Sequence, residues 1–156
     1  MSTSSTFNLG LVNNRLGVLS DQIEELETDL NNRGTVVRFP TFTTPITVND
    51  PDSYTTIGRL TNVYLKKGTY ALIYNLNAKW TYASYQFWSY INIDNARVEC
   101  GSYATPNDGF VPCIGVIDVA NDGNHEIVLS CRVGNTAKSV TVNEYQEIKL
   151  AMIKVK

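Results

Sequence analysis

The richest source of binding chemistry is a run of eleven residues from 80 to 90, WTYASYQFWSY, which contains six aromatic side chains. Exposed aromatic rings stack on sugars or fill protein interfaces, because they supply a large contact area at a small cost in conformational entropy. Strand alternation cannot place all six rings in one core. Burial in the core or at a subunit interface is the simpler interpretation, and glycan binding is the alternative. For that alternative, the candidate ligand-binding residues are Tyr82 and Tyr85, in the expected turn of the segment.

Catalytic chemistry has little support in the sequence. The only histidine, His125, has no GxSxG motif, HExxH motif or neighbouring cysteine that would make it a base or a ligand. It follows Asp122-Gly123, which favours a surface histidine beside a turn. We therefore expect no catalytic residue and no enzymatic activity.

Metal and cofactor sites are equally unsupported. The loop carboxylates could meet calcium but lack EF-hand spacing, so turn formation explains them more simply. They are Asp50, Asp52, Asp108 and Asp122. The three cysteines, at positions 100, 113 and 131, form no CxxC pair and favour buried thiols over a disulfide framework or a zinc site. We expect no metal and no cofactor.

Charge and hydropathy exclude two classes of partner. The 156 residues carry a net charge of −2, with a pI near 5.3, which does not favour nucleic acid or anionic membranes. No apolar run approaches the roughly 20 residues that a membrane span needs. The first residues, MSTSSTFNLGLV, lack the pattern of a secretory signal. The sequence therefore predicts synthesis in a cytoplasm, with no membrane insertion.

A strict heptad pattern occupies residues 9 to 33, behind an expected flexible tail of residues 1 to 8. With Leu9 at position a, seven of the eight a and d positions are apolar, and Arg33 is the exception. This pattern lasts about three and a half heptads and predicts a coiled-coil stem. The expected oligomerisation residues are Leu9, Val12, Leu16, Leu19, Ile23, Leu26 and Leu30.

Two other interpretations of the segment remain open. The helix could begin at Ser20, a good N-cap that precedes acidic residues, with residues 9 to 19 extended or ordered by a partner. Alternatively, the helix could fold back onto its own β-domain. Gly10 and Gly17 loosen the first half, which also carries extra apolar residues. We expect that half to dock on a larger particle.

After Gly34 the apolar period changes to two, and the composition shifts towards Thr, Val, Ile and Tyr. Short strands with regular turn signals and no intervening helix predict an antiparallel β-sandwich over residues 35 to 156. The predicted strands are residues 35–39, 46–48, 57–65, 69–80, 87–94, 96–100, 114–119, 125–133, 139–142 and 146–156.

Alternation within these strands predicts the core and one hairpin. The expected inward sets are Tyr70, Leu72, Tyr74 and Leu76; Ile127, Leu129, Cys131 and Val133; and Ala151, Ile153 and Val155. Asp122-Gly123 lies between two apolar runs and predicts that GVIDVANDGNHEIVLSCRV forms a β-hairpin.

Three stretches, LKKGTYALIYNLNAKW, VIDVANDGNHEIVLSC and YQEIKLAMIKVK, give residues 35 to 156 a pattern that resembles C1q/TNF-like jelly rolls. The sharpest matching residues are Gly68, Tyr70 and Trp80. A short coiled coil followed by a β-head is also similar to the fibre and knob proteins of tailed bacteriophages. Both resemblances imply a homotrimer. The sequence has no collagen-like Gly-X-Y stalk and no secretory signal, which favours the viral branch.

The combined expectation is a mostly β, homotrimeric structural or binding protein of a phage virion, assembled in the host cytoplasm. It would be a head or tail fibre, or a decoration protein. Its N-terminal segment would attach to a capsid or tail protein, and its heads would present loops to a host-surface glycan or protein. Trivalency would strengthen weak contacts. The alternatives are a C1q-like protein of a cell or spore surface and a glycan-cleaving fibre enzyme.

Overall fold

The computed structural model describes residues 9–80, 86–103, 107–134, 139–144 and 146–156; within these ranges the side chains of residues 9–11, 26–32, 80, 102–103 and 107–108 are not described. The expected tail of residues 1 to 8 therefore lies outside the described part. The chain divides into two units, Met1–Arg33 and Gly34–Lys156.

In the first unit, the described residues form the helix α1 (Leu9–Asn32), of 24 residues. At 1.5 Å per residue it is about 36 Å long. Because the helix is continuous from Leu9, the alternative start at Ser20 is wrong. Three of its four described apolar seam residues are exposed: Leu16, Leu19 and Ile23 are 58%, 52% and 55% exposed. No helix in the described ranges has the length and apolar character that a membrane span requires.

The described residues of the second unit form ten strands, close to the ten that alternation predicts. β7 differs most, because it begins at residue 107 and not at 114. The strands are β1 (Gly34–Arg38), β2 (Ile46–Val48), β3 (Thr55–Leu65), β4 (Gly68–Trp80), β5 (Phe87–Ile93), β6 (Ala96–Tyr103), β7 (Asn107–Val119), β8 (Gly123–Val133), β9 (Val140–Val142) and β10 (Lys149–Lys154).

These strands form two antiparallel sheets, so the chain is mostly β, as the sequence predicts. In sheet I, the order is β1-β10-β4-β9-β2, and β7 pairs with the other edge of β4. In sheet II, the order is β3-β8-β5-β6. Five of the pairs are nested along the chain: β1 with β10, β2 with β9, β3 with β8, β4 with β7 and β5 with β6. One hydrophobic core includes residues of both sheets, which is consistent with a β-sandwich.

Alternation correctly identifies two of the three inward sets. Tyr70, Leu72, Tyr74 and Leu76 of β4 are buried, as are Ile127, Leu129, Cys131 and Val133 of β8. The hydroxyls of Tyr74 in sheet I and Ser89 in sheet II hydrogen-bond inside the core.

The expectation of buried thiols is confirmed for all three cysteines. None of Cys100, Cys113 and Cys131 forms a disulfide, and all are buried. Burial raises the pKa of the Cys100 thiol to about 11 and that of Cys131 still further. These groups remain protonated thiols at neutral pH, and they pack as small apolar side chains.

The third inward set is wrong. Leu150 and Met152 of β10 are fully buried, whereas Ile153 and Val155 are 43% and 59% exposed. Both faces of this strand are apolar, so alternation alone does not identify the buried face. Pairing with β1 and β4 buries the face that carries Leu150 and Met152.

The predicted hairpin around Asp122-Gly123 is also wrong. β7 pairs with β4 in sheet I, whereas β8 pairs with β3 and β5 in sheet II, so the turn crosses between sheets. The connection from β3 to β4 crosses between the same sheets. The Lys67 backbone N–H donates to Asp122 Oδ1 at 2.6 Å and links the two crossings. A turn signal marks a reversal of the chain but does not identify the sheet that the chain enters.

Candidate functional site

The outer face of sheet I carries an apolar surface that spans four strands. Strand register aligns Val36, Ala151, Ile73 and Ile114 in one row across β1, β10, β4 and β7. The adjacent row is Gly34, Ile153, Ala71 and Val116. Inter-strand spacing makes each row about 14 Å wide. Val36, Ile114 and Val116 are more than half exposed. We call these two rows the apolar face.

Polar contacts border the apolar face at both ends of its strands. At one end, Glu147 pairs with Arg38 and with Lys149, the latter at 3.1 Å. Hydrogen bonds from Lys149 and Arg38 lower the pKa of the Glu147 carboxyl. At the other end, the Thr69 hydroxyl donates to Asp118 Oδ1 at 2.6 Å. An apolar centre with a polar rim is typical of a protein–protein interface.

The outer side of sheet II has a different character. Arg97 Cζ lies 3.9 Å from the ring centroid of Tyr54. Arg132 Cζ lies 5.4 Å from the Tyr54 centroid and 5.1 Å from that of Trp88. Tyr54 also meets Tyr90 edge to face, with centroids 4.9 Å apart. We call these five residues the Arg–aromatic cluster.

Several strands position the cluster. Trp88 and Tyr90 belong to β5, Arg97 to β6 and Arg132 to β8, and Tyr54 directly precedes β3. Strand register places Trp88 opposite Arg132. Asn92 Oδ1 accepts a hydrogen bond of 2.9 Å from Arg97 Nε, which orients the guanidinium.

The two arginines are not neutralised by a paired acid. Among the described residues, neither Arg97 nor Arg132 forms an ion pair within 4.0 Å. Glu99 of β6 is the strand partner of Tyr90 and carries a carboxylate. Burial raises the pKa of Tyr90, while Arg132 acts in the opposite direction. The cluster therefore holds two cations that no described acid pairs with, and Glu99 lies beside it on β6.

Two buried polar atoms next to the cluster have no partner among the described residues. One is Arg132 Nε and the other is Ser130 Oγ. Ser130 is 2% exposed and lies opposite Tyr90 in the pairing of β8 with β5. Buried polar groups are normally hydrogen-bonded, so such atoms are unusual.

Arg59, the third arginine of sheet II, forms an ordinary surface ion pair. Arg59 Nη1 lies 2.5 Å from Glu126 Oε1, and the two side chains are 54% and 40% exposed. A surface ion pair of this kind is fully explained by the two residues themselves.

His125 is not the surface residue that the sequence predicts, because it is 8% exposed. Its Nδ1 lies 2.6 Å from Asp94 Oδ2, and its Nε2 lies 3.1 Å from the Asn121 carbonyl oxygen. Asp94 Oδ1 also accepts the Glu126 backbone N–H at 3.0 Å, which lowers the Asp94 pKa. These contacts tie the β5–β6 turn to β8 beside a cleft of about 280 Å³.

Two of the four loop carboxylates, those of Asp50 and Asp122, accept hydrogen bonds from backbone N–H groups. Asp50 accepts the backbone N–H groups of Asp52 and Ser53, and Asp122 accepts that of Lys67. The described residues include no group of three or more His, Cys, Asp or Glu side chains placed to hold a metal ion. The Asp108 side chain lies outside the described set.

The predicted site residues have mixed outcomes. Tyr82 and Tyr85 lie outside the described residues, as do the side chains of Leu9, Leu26 and Leu30. Val12 is half-buried, and the other described seam residues are exposed. Within the aromatic run, Phe87 enters the core, whereas Trp88 and Tyr90 join the cluster. Sequence reasoning missed both arginines of the cluster, because they are scattered along the chain and meet only in the sheet.

No protein-family model matches the chain, and no curated protein matches it at a significant level.

Proposed function

We propose that this chain is a homotrimeric structural and binding protein of a bacteriophage virion, a head or tail fibre or a decoration protein. In this proposal α1 forms a coiled-coil stem, and Gly34–Lys156 forms a jelly-roll head. The observation that carries the proposal is that a single chain leaves two ordered apolar surfaces uncovered, the heptad seam and the apolar face.

The nested strand pairs support the jelly-roll assignment. A jelly roll contains eight strands in two Greek keys, in which early strands pair with late ones. The pairs β1–β10, β3–β8, β4–β7 and β5–β6 follow that rule, with β2 and β9 as an additional short pair. The two sheet crossings beside Lys67 and Asp122 fit the same topology.

Both apolar surfaces favour copies of the same chain as the partner. A heptad seam pairs most simply with an identical seam in parallel register. Only Arg33 separates α1 from β1, so a parallel bundle would bring the Gly34 residues of its copies together. Gly34 and Val36 lie on β1, the strand that begins both rows of the apolar face. The resemblance to C1q/TNF-like heads favours three copies.

The resemblance to phage fibres is the basis for the virion. The N-terminal half of the seam, with Gly10 and Gly17, would dock on a capsid or tail protein. The Arg–aromatic cluster offers a surface for host attachment on the side of the head away from the apolar face. Three heads per particle would turn weak single contacts into useful avidity.

Light scattering of the full chain tests the assembly. We expect three times the 17.4 kDa mass of one chain. Leu19→Asp combined with Leu26→Asp should abolish the trimer, because it buries unpaired charges in the seam. The matched control is Asn14→Asp with Thr28→Asp, which adds the same charges at outer heptad positions. A monomeric wild-type chain, or equal loss of assembly in both double variants, would contradict the proposal.

A further inference from the structure

We propose that the Arg–aromatic cluster is a binding site for an acidic oligosaccharide, with a sugar carboxylate held by Arg97 and Arg132. This inference rests on the proposed function as an attachment protein, and it names the class of ligand. It also moves the expected glycan site from the turn of Tyr82 and Tyr85 to the outer side of sheet II.

The aromatic residues supply the surface for the sugar ring. Trp88 is half-buried and Tyr54 is half-buried, so both rings keep part of their surface open. Rigid rings of this kind stack on the apolar faces of pyranose sugars at little entropic cost. The Trp88 ring lies close to the backbone of Gly134: a Cβ atom added at Gly134 would lie 3.0 Å from Cη2 of Trp88. This close approach holds the ring in place.

The arginines supply the charge selectivity. The guanidinium forks of Arg97 and Arg132 both approach the Tyr54 ring, at 3.9 and 5.4 Å, without an ion pair among the described residues. Two like charges held close together repel each other, and a bound carboxylate would relieve that repulsion. Guanidinium groups bind carboxylates through two parallel hydrogen bonds, which a neutral sugar cannot match.

The unpartnered buried atoms are a second, independent indication of a ligand. Ser130 Oγ and Arg132 Nε have lost their contact with water but have no protein partner among the described residues. Because protein covers both atoms, ligand hydroxyl and carboxylate oxygens would reach them only when the side chains above them shift on binding. The paired Arg59 lies on the same sheet without such an atom, so it is not expected to take part.

The test is calorimetric titration of the full-length protein with 3′-sialyllactose and with trigalacturonic acid, against lactose as the neutral control. We expect at least one acidic oligosaccharide to bind roughly tenfold more tightly than lactose, the value of about one charge-assisted hydrogen bond. Trp88 should report the same binding through a change in indole fluorescence. Equal affinity for acidic and neutral sugars, or no binding of either acid, would overturn the proposal.

Variants assign the binding to the cluster. Arg97→Gln should weaken acidic binding about tenfold and leave any lactose binding unchanged. Arg132→Lys keeps the charge but loses the planar fork, so it should also weaken acidic binding. Arg59→Gln is the matched control and should have no effect. Equal effects of Arg97→Gln and Arg59→Gln would refute the site.

Light scattering on the same samples separates the two proposals. A trimer that does not bind acidic sugars would refute this inference and leave the proposed assembly intact. A monomer that binds acidic sugars through Arg97 would support this site and refute the assembly.

Discussion

The outer face of sheet I presents Val36, Ile73 and Ile114 in one row across four strands, whereas the outer side of sheet II presents arginines over aromatic rings. Both sheets bury similar aliphatic side chains on their inner faces. The difference lies in the side chains on the outer faces. Those outer residues fit the two proposed roles, an interface between copies for sheet I and an acidic ligand for sheet II.

The largest expected effect is on assembly. Ile73→Asp places a charge in the middle of the apolar face, where a second copy would have to desolvate it. Because Ile73 is 43% exposed in the single chain, the variant should fold. Light scattering should therefore show a fall from trimer to monomer or to unstable mixtures. Thr56→Asp, on the outer side of sheet II, is the control that should remain trimeric. An intact Ile73→Asp trimer would remove the apolar face from the interface.

Neighbouring residues of β4 distinguish the inner and outer faces of sheet I. Leu72→Ala leaves a cavity in the core and should lower the free energy of unfolding by about 2–5 kcal/mol in urea titrations.

Ile73→Ala should behave differently from Leu72→Ala, because its cost would arise mainly where copies meet. The shift of its urea midpoint should therefore depend on protein concentration. A concentration-independent loss as large as that of Leu72→Ala would contradict a copy–copy role for the apolar face.

Ionic strength provides a further contrast. Added salt should weaken the binding of an acidic oligosaccharide to sheet II, because exposed charges are screened within about 8 Å at physiological ionic strength. Assembly through the apolar face should persist under the same conditions, since burial of apolar surface does not depend on charge. Titrations and light scattering in low and high sodium chloride measure both. Salt-induced dissociation of the trimer would reverse the assigned roles of the two sheets.

The smallest expected effect concerns acid stability. Hydrogen bonds from the Glu126 backbone and from His125 lower the pKa of Asp94 in the folded state below its ordinary value of 3.8. The stabilisation is therefore complete above the unfolded pKa and is lost as the pH falls through the folded pKa. Asp94→Asn should make thermal unfolding less dependent on pH below about 4. Asp52→Asn is the loop control, and an identical change in both variants would exclude a special role for Asp94.

Much of the fold follows from the sequence because strand formation is a local property. The alternation of Tyr70, Leu72, Tyr74 and Leu76 identifies both the strand and its buried face, since the intervening positions include polar residues. In β10 both faces are apolar, and the same rule selects the wrong side. Apolar alternation identifies a core only where the other face is polar.

The candidate sites were less accessible from the sequence. The heptad seam was visible because its residues recur at a fixed local spacing. The Arg–aromatic cluster was not visible, because Tyr54, Arg97 and Arg132 are separated by 35 residues or more along the chain. His125 was misplaced for the same reason, since its partner Asp94 lies 31 residues away along the chain, in the β5–β6 turn.

The sequence by itself determined the two kinds of unit, a heptad helix and a β-domain, and the approximate position of every strand. Periodicity carries this information because it records which side of one element avoids water. Only the tertiary structure decided which strands pair, that β7 and β8 enter different sheets, and which face of β10 is buried. It also decided which distant charges and rings meet. Those choices depend on contacts between residues far apart in the chain, and no local pattern contains them.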